Sequence, residues 1–187
     1  TTAEGFCTGT NYTFPASTNT TAPVGPDYGC LGSQPNPAFY FLQIDQPGDL
    51  TITMQSTPLV DIDFICWGPF TDPSTMCDSL TGAYIEDCSY STAAVEDCDI
   101  INAVTGQFYI LLITNYSNQN CNIDFSQTGG NGTTNCCIEG DAGLDNIVNF
   151  CESDPGFILE SQLNGTPSIG GVWYDNLWTT LPSNNFD

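Results

Sequence analysis

Short segments in which apolar and polar residues alternate recur along this chain. Residues 50–55 (LTITMQ) and 59–67 (LVDIDFICW) follow a period of two, which is typical of strands with one buried face. Residues 107–114 (QFYILLIT) are almost continuously apolar and predict a central strand buried on both faces. No stretch has a sustained helical period. The pattern predicts an all-β fold, a β-sandwich of jelly-roll-like type.

Further strands are predicted at residues 39–45, 95–101 and 121–126. Pro47 and Gly48 separate the first of these from residues 50–55, and Pro-Gly is a common turn sequence. We therefore expect these two strands to form a hairpin.

The character of the chain changes after residue 129. Residues 1–129 hold the predicted sandwich, and residues 130–136 are predicted to be a linker because the sequence there is rich in Gly, Asn and Thr. Residues 137–187 contain short strand candidates at 147–150, 157–159 and 171–174. About fifty residues are marginal for a separate core. We expect this second unit to be truncated, or to be completed by residues or chains outside this sequence.

The 187 residues include 22 acidic side chains and no lysine, arginine or histidine, so the formal net charge is -22. No side-chain ion pair can form, and the cations that neutralise nucleic-acid phosphates or anionic lipid are missing. A histidine-based triad, a Schiff-base lysine and a histidine metal ligand are also excluded. We expect no nucleic-acid partner and no direct membrane insertion, since no apolar run of about eighteen residues occurs.

The ten cysteines favour disulfides over structural zinc, because no CxxC pair and no histidine is present. Disulfides imply an oxidising, extracytoplasmic compartment. Sequence does not determine the connectivity; short loops would join Cys7 to Cys30 and Cys77 to Cys88, while Cys98 and Cys121 could cross-link neighbouring strands. The ten candidates are Cys7, Cys30, Cys66, Cys77, Cys88, Cys98, Cys121, Cys136, Cys137 and Cys151.

The carboxylates are the strongest ionisable candidates for a site. Asp61 and Asp63 are two residues apart on a predicted strand, and Asp87 and Asp97 belong to a repeated Glu-Asp-Cys triplet. Carboxylate oxygens are the ligands that calcium takes, so these four residues are calcium candidates, with a solvated acidic face as the alternative. A glycosidase carboxylate pair carries no weight here because 22 acids supply many accidental pairs. We expect no catalysis and no required cofactor, with calcium as the one candidate.

Aromatic side chains could form a carbohydrate-stacking surface, although such residues more often pack in a sandwich core. We expect Tyr174 and Trp178 to be the exposed ones. Asn-X-Ser/Thr glycosylation sequons occur at Asn11, Asn19, Asn115, Asn131 and Asn164. The aromatic residues considered are Trp67, Trp173, Trp178, Tyr40, Tyr84, Tyr90, Tyr109 and Tyr174.

Residues 6–129 resemble a module found near the starts of very large secreted surface proteins of Bacteroidetes, especially Flavobacteria. The stretches that carry the resemblance are FCTGTNYTFPAS, GPDYGCLGSQPNPAFYFLQIDQPGDLTI, DIDFICWGPF, DCSYSTAAVED and GQFYILLITNYSNQNCNIDFSQTGG. The chain is also similar to bacterial pre-peptidase C-terminal domains, which have an aromatic strand, a Pro-Gly turn, a DxDxxxxxP segment and a late glycine-led strand. These stand here at residues 39–41, 47–49, 61–69 and 106–111. The resemblance implies a jelly-roll-type sandwich.

Residues 149–187 are similar to an Ig-like repeat of the same giant adhesins, with a Gly-Gly-x-Trp strand and an Asn-Phe-Asp turn at 185–187. The resemblance implies a non-catalytic, secreted adhesin segment that presents or spaces a binding surface in cell adhesion or gliding motility. Its implied partners are a polysaccharide or protein ligand, the type 9 secretion and outer-membrane machinery, and neighbouring copies of itself.

Two alternatives remain beside the adhesin, namely a self-assembling extracellular filament subunit and an ancillary domain of a secreted hydrolase. Ser79 lies in an Asp-Ser-Leu triplet that fits the Bacteroidetes O-glycosylation pattern, so it is the glycan candidate.

Overall fold

The computed structural model describes residues 4–135, 157–158 and 185–186. The chain divides into two compact units, Thr1–Cys136 and Cys137–Asp187. In the described part of the first unit, two short 3-10 turns lie at Met76–Asp78 and Gly82–Tyr84. Its strands are β1 (Glu4–Gly5), β2 (Tyr12–Pro15), β3 (Pro37–Gln43), β4 (Gly48–Thr57), β5 (Asp63–Phe70), β6 (Ile85–Ser89), β7 (Val95–Ala103), β8 (Phe108–Thr114) and β9 (Asn122–Gly130).

The strands form two sheets. The five-stranded sheet has the order β1-β3-β8-β5-β6, and the four-stranded sheet has the order β2-β9-β4-β7. Neighbouring strands are antiparallel except for β1 and β3. The predicted all-β sandwich is therefore confirmed. Among the described residues, no helical segment has the length and apolar character that a membrane-spanning helix needs.

The main core lies between the two sheets. β4 places Leu50, Ile52 and Met54 in this core, where each is fully buried, as its period-two sequence predicts. From the facing sheet, Tyr40 of β3 packs on Phe125 of β9 with ring centroids 4.5 Å apart. Burial of these apolar side chains is the main favourable contribution to folding in a chain without ion pairs.

A second apolar cluster covers the outer face of the five-stranded sheet. The central strand β8 contributes to both apolar clusters, because Leu111 lies in the main core and Leu112 lies in this second cluster. β8 is therefore buried on both faces, as predicted. The segment before β3 folds over this face, where the Asp27 carbonyl accepts a hydrogen bond of 2.9 Å from the indole of Trp67. We call these residues the outer cluster: Leu31, Ile65, Trp67, Phe70, Leu80, Ile110 and Leu112.

The predicted hairpin between β3 and β4 is wrong. β3 pairs with β1 and β8, whereas β4 pairs with β7 and β9 in the other sheet, so the Pro47-Gly48 turn crosses from one sheet to the other. Residues 132–133 hold this crossing, because the amides of Gly132 and Thr133 donate to the carbonyls of Asp49 (2.9 Å) and Gln46 (3.1 Å). Part of the segment that the sequence predicts as a linker therefore packs on the sandwich.

Three strands of the first unit were not predicted. β1 and β2 lie in the N-terminal stretch, where two to four residues leave too little alternation to recognise, and β6 follows a loop-like sequence. β5 also begins at Asp63 rather than at residue 59. The hydroxyl of Ser56 accepts a hydrogen bond of 2.8 Å from the Val60 amide, which closes residues 56–60 into a turn before the strand starts.

The structure contains a disulfide between Cys30 and Cys88, with an S–S distance of 1.95 Å. The short-loop pairs Cys7–Cys30 and Cys77–Cys88 are therefore wrong, because the segment before β3 lies over the outer cluster and brings Cys30 to β6. Cys98 and Cys121 are not bonded to each other in this structure, and β4 lies between β7 and β9 in the sheet. The described cysteines that remain thiols are Cys7, Cys66, Cys77, Cys98 and Cys121; Cys136, Cys137 and Cys151 lie outside the described residues.

In the second unit, β10 (Phe157–Ile158) pairs antiparallel with β11 (Asn185–Phe186). β10 coincides with a predicted strand, whereas β11 is a strand where the resemblance implies a turn. The strands predicted at 147–150 and 171–174, and the aromatic residues Trp173, Tyr174 and Trp178, lie outside the described residues.

Candidate functional site

Three loops meet at one end of the sandwich. They follow β4, β6 and β8 and comprise residues 58–62, 90–94 and 115–121, which we call the three-loop end. The Ile62 amide donates to the Ala93 carbonyl, and the Ser117 amide donates to the Asp61 carbonyl, each at 3.1 Å. The loops are thus fixed to one another by backbone hydrogen bonds.

Carboxylates are concentrated beneath this end. Asp63, the first residue of β5, is fully buried, and Glu96 of β7 is 8% exposed. Neither carboxylate oxygen of Asp63, nor Oδ1 of Asp61, has a hydrogen-bond partner among the described residues. Glu96 accepts a hydrogen bond from the Ser91 hydroxyl. Asp63 is therefore a buried polar group without the partners that such groups normally have.

Burial and like charge raise the pKa values of these acids. Loss of solvation raises the pKa of Asp63 to about 7, and the like charges of Asp61 and Glu96 add to the shift. Burial, followed by the charge of Glu96, also raises the pKa of Asp61. Since the sequence has no cationic side chain, a compensating charge has to be a proton or come from outside the chain.

Two tyrosines project from the same end. The rings of Tyr90 and Tyr116 are edge-to-face, with centroids 5.4 Å apart, and are 43% and 41% exposed. Tyr90 lies against Gly32, where a Cβ atom would be 3.1 Å from its ring. The Tyr90 hydroxyl raises the pKa of Tyr116, and Asp61 and Asp63 add to this. The carboxylates of Asp61 and Asp63 therefore lie close enough to the two tyrosines to influence the ionisation of Tyr116.

The four calcium candidates do not come together in one place. Asp61 and Asp63 lie at the three-loop end, whereas Asp97 accepts a hydrogen bond from Thr53 on the exposed face of the four-stranded sheet. Asp87 accepts one from the Asp99 backbone. Within the described ranges, no group of three or more His, Cys, Asp or Glu side chains is arranged to hold a metal ion. Calcium binding stays a prediction.

The aromatic candidates separate into core and surface. Trp67, Tyr40 and Tyr109 are buried, whereas Tyr84 is 41% exposed and packs on Phe70. Tyr116 was missed by the sequence reasoning, because a tyrosine in a polar turn carries no pattern. Glu96 was also missed. It lies two residues before Cys98 and four before Ile100 on β7, so strand alternation predicts that its side chain points inward as theirs do.

The glycan candidates differ in their surroundings. The Ser79 hydroxyl donates a hydrogen bond of 3.0 Å to the Thr75 carbonyl in an exposed loop. Asn115 is fully buried, and its amide donates to the carbonyls of Ser17 and Gln119, so a sugar on this side chain would disrupt the folded loop. Asn11, Asn19 and Asn131 are exposed, and Asn164 lies outside the described residues.

No protein family matches the sequence, and no curated protein does. Among solved structures, the chain is similar to a pre-peptidase C-terminal domain of a collagenase from Bacillus anthracis, with 9% sequence identity and a TM-score of 0.43. The similarity covers 68% of this chain and 95% of that domain.

Proposed function

We propose that this chain is a non-catalytic segment of a secreted surface adhesin and that its three-loop end contacts the ligand. The observation that carries this proposal is the pair of exposed rings, Tyr90 and Tyr116, beside the carboxylates. Rigid, amphipathic aromatic side chains supply much of the affinity at binding surfaces because they lose little conformational entropy on contact.

The charge of the chain limits the ligand to a neutral or cationic one. A net charge of -22 repels anionic polymers, and no side chain can form an ion pair with a sulfate, phosphate or uronate. A neutral polysaccharide fits both parts of the site, because tyrosine faces contact the C–H groups of a sugar ring and the partly exposed Asp61 accepts hydrogen bonds from its hydroxyls. Asp63 lies beneath and does not contact the ligand.

The Cys30–Cys88 disulfide supports placement outside the cytoplasm, because such bonds persist in oxidising compartments. Export by the type 9 system and attachment at the outer membrane are part of the proposal through the family resemblance alone. Neighbouring copies of the chain would then be spaced along the cell surface.

The test is binding to a panel of neutral extracellular polysaccharides. We expect Tyr90→Ala and Tyr116→Ala each to weaken binding about tenfold or more. Tyr84→Ala is the matched control, since Tyr84 has the same exposure as Tyr116. Equal losses in all three variants, or no binding to any neutral polysaccharide, would overturn the proposal. A catalytic domain in the full-length gene would favour the ancillary-domain alternative instead.

A further inference from the structure

Two buried thiols face the space between the sheets. Cys66 belongs to β5 of the five-stranded sheet and Cys98 to β7 of the four-stranded sheet, and both are fully buried. Strand alternation places Cys66 in phase with Phe64 and Cys98 in phase with Ile100, all four within the main core. Both side chains therefore point into the same apolar layer from opposite sides.

The two strands approach each other at the edge of the sandwich. Cα atoms of β5 and β7 come within 8 Å although the strands lie in different sheets. Asp87, the register partner of Cys66 on β6, accepts a hydrogen bond of 2.7 Å from the backbone amide of Asp99, the residue after Cys98. This hydrogen bond joins β6 to β7 directly beside the two cysteines.

The thiols themselves are in contact. The Cys66 thiol is hydrogen bonded to that of Cys98, and this contact, followed by burial, raises the pKa of Cys98 well above its ordinary value. Two cysteines with interacting thiols, on strands that approach each other, are placed as a cross-link between the sheets requires. Cys30 and Cys88 show that this chain already forms a disulfide.

We propose that Cys66 and Cys98 form a second disulfide, which joins the two sheets across the main core. Two S–H bonds break and one Sγ–Sγ bond forms, so the thiols lose two protons and two electrons. The electron acceptor is a disulfide, either glutathione disulfide or the active-site disulfide of a thiol oxidoreductase, which is reduced to two thiols. Because the attacking species is a thiolate and Cys98 is buried with a raised pKa, the exchange takes place during folding, before the core closes.

Disulfide mapping of the whole chain tests the proposal. The chain is refolded with reduced and oxidised glutathione, free thiols are alkylated in denaturant without reductant, and pepsin digests the protein at low pH, where disulfide exchange is suppressed. We expect mass spectrometry to find a Cys66–Cys98 linked peptide pair beside the Cys30–Cys88 pair. Alkylated Cys66 and Cys98 beside an intact Cys30–Cys88 link would overturn the proposal, as would a link from either residue to another cysteine.

The timing of oxidation has its own measurement. A chain that is first folded under reducing conditions and then exposed to glutathione disulfide should form the Cys66–Cys98 link at least tenfold more slowly than a chain that folds in its presence. Cys66→Val/Cys98→Ala keeps the site apolar and is the control for peptide assignment: the linked peptide has to disappear while the Cys30–Cys88 peptide remains. Equal rates in the two protocols would contradict the proposed order of events.

Discussion

The carboxylate of Asp87 accepts a hydrogen bond of 2.7 Å from the backbone amide of Asp99, so a side chain of β6 occupies a position that a neighbouring strand would otherwise fill. Glu86 does the same for the Ile101 amide at 3.2 Å. β7 is the edge of the four-stranded sheet, and exposed edges invite pairing with other chains. Because the Asp99 and Ile101 amides already donate to Asp87 and Glu86, they are not available for pairing with another chain.

Asp87→Ala should destabilise the sandwich by about 1.5–3 kcal/mol, because it removes a charged hydrogen-bond acceptor from a backbone amide. Asp87→Asn should lose less, since the amide oxygen still accepts. Asp97→Ala is the control: it removes the same charge from the exposed face of the four-stranded sheet, where Asp97 accepts a hydrogen bond from a side chain and not from an edge amide. Urea unfolding measures all three, and equal losses in Asp87→Ala and Asp97→Ala would contradict the role of the edge contact.

The stability of the protein should fall as the pH rises from about 4 to about 7, through the buried carboxyl of Asp63. Its pKa is raised from 3.8 in the unfolded chain to about 7 in the folded one. Between these two pKa values the folded state binds more protons than the unfolded state. The stabilisation is therefore complete below the unfolded-state pKa and is lost as the pH rises to the folded-state pKa. The contribution of this residue is on the order of 4 kcal/mol at most.

Asp63→Asn keeps the shape of the side chain and removes its titration. The difference in unfolding free energy between this variant and the wild type, measured at each pH, isolates the contribution of Asp63 from that of the other acids. A difference that does not change across the window would contradict the prediction.

Gly32→Ala should weaken ligand binding with little loss of stability. The added Cβ would lie 3.1 Å from the ring of Tyr90, which then has to move relative to Tyr116. We expect an affinity loss of a few-fold in the polysaccharide assay, smaller than that of Tyr90→Ala. Ser33→Ala, the neighbouring substitution, is the control, and an equal effect from it would argue against a positioning role for Gly32.

Loss of the Cys30–Cys88 disulfide should loosen the segment that covers the outer cluster. Cys30→Ala/Cys88→Ala should cost about 2–4 kcal/mol. The fluorescence of Trp67, followed in a Trp173→Phe/Trp178→Phe background, should shift to longer wavelength as its cover is released. Cys77→Ala, at an exposed thiol, should change neither quantity.

Added salt should stabilise the fold steadily, because a chain with a net charge of -22 and no cations repels itself and ions screen that repulsion. Thermal unfolding in NaCl and in CaCl₂ at matched ionic strength measures the effect. A saturable calcium contribution that Asp61→Asn/Asp63→Asn removes and Asp97→Asn leaves intact would establish a specific site. A calcium effect that is identical in the wild type and both variants would count against one.

The sequence predicted where strands lie better than how they pair. The alternation in β4 and the continuous apolar run of β8 reflect which faces of these strands are buried. This information lies within each segment, so a single stretch of sequence is enough to predict the strand. Pairing depends on partners far along the chain, so the Pro47-Gly48 turn looked like a hairpin and is a crossing between sheets. The disulfide pairing was mispredicted for the same reason, because Cys30 bonds with Cys88 at a sequence separation of 58.

The site was predicted in part. The pattern drew attention to Asp61 and Asp63, but their setting depends on Glu96, which arrives from β7 in the other sheet. The complete burial of Asp63 runs against the ordinary preference of a carboxylate, so no local rule predicts it. Tyr116 joins Tyr90 because two loops meet, which is a property of the fold.

Among the strands described in the first unit, β5 and β6 are the one pair adjacent both in sequence and within a sheet. β2 has no sheet partner until β9 exists, and β3 has only its two-residue pairing with β1 until β8 exists. In a chain that leaves a cell N-terminus first, the five-stranded sheet is complete only after β8 has emerged, and the four-stranded sheet only after β9 has emerged. Pairing between strands that are far apart along the chain makes folding slow, so the first strands to emerge are without most of their sheet partners until late.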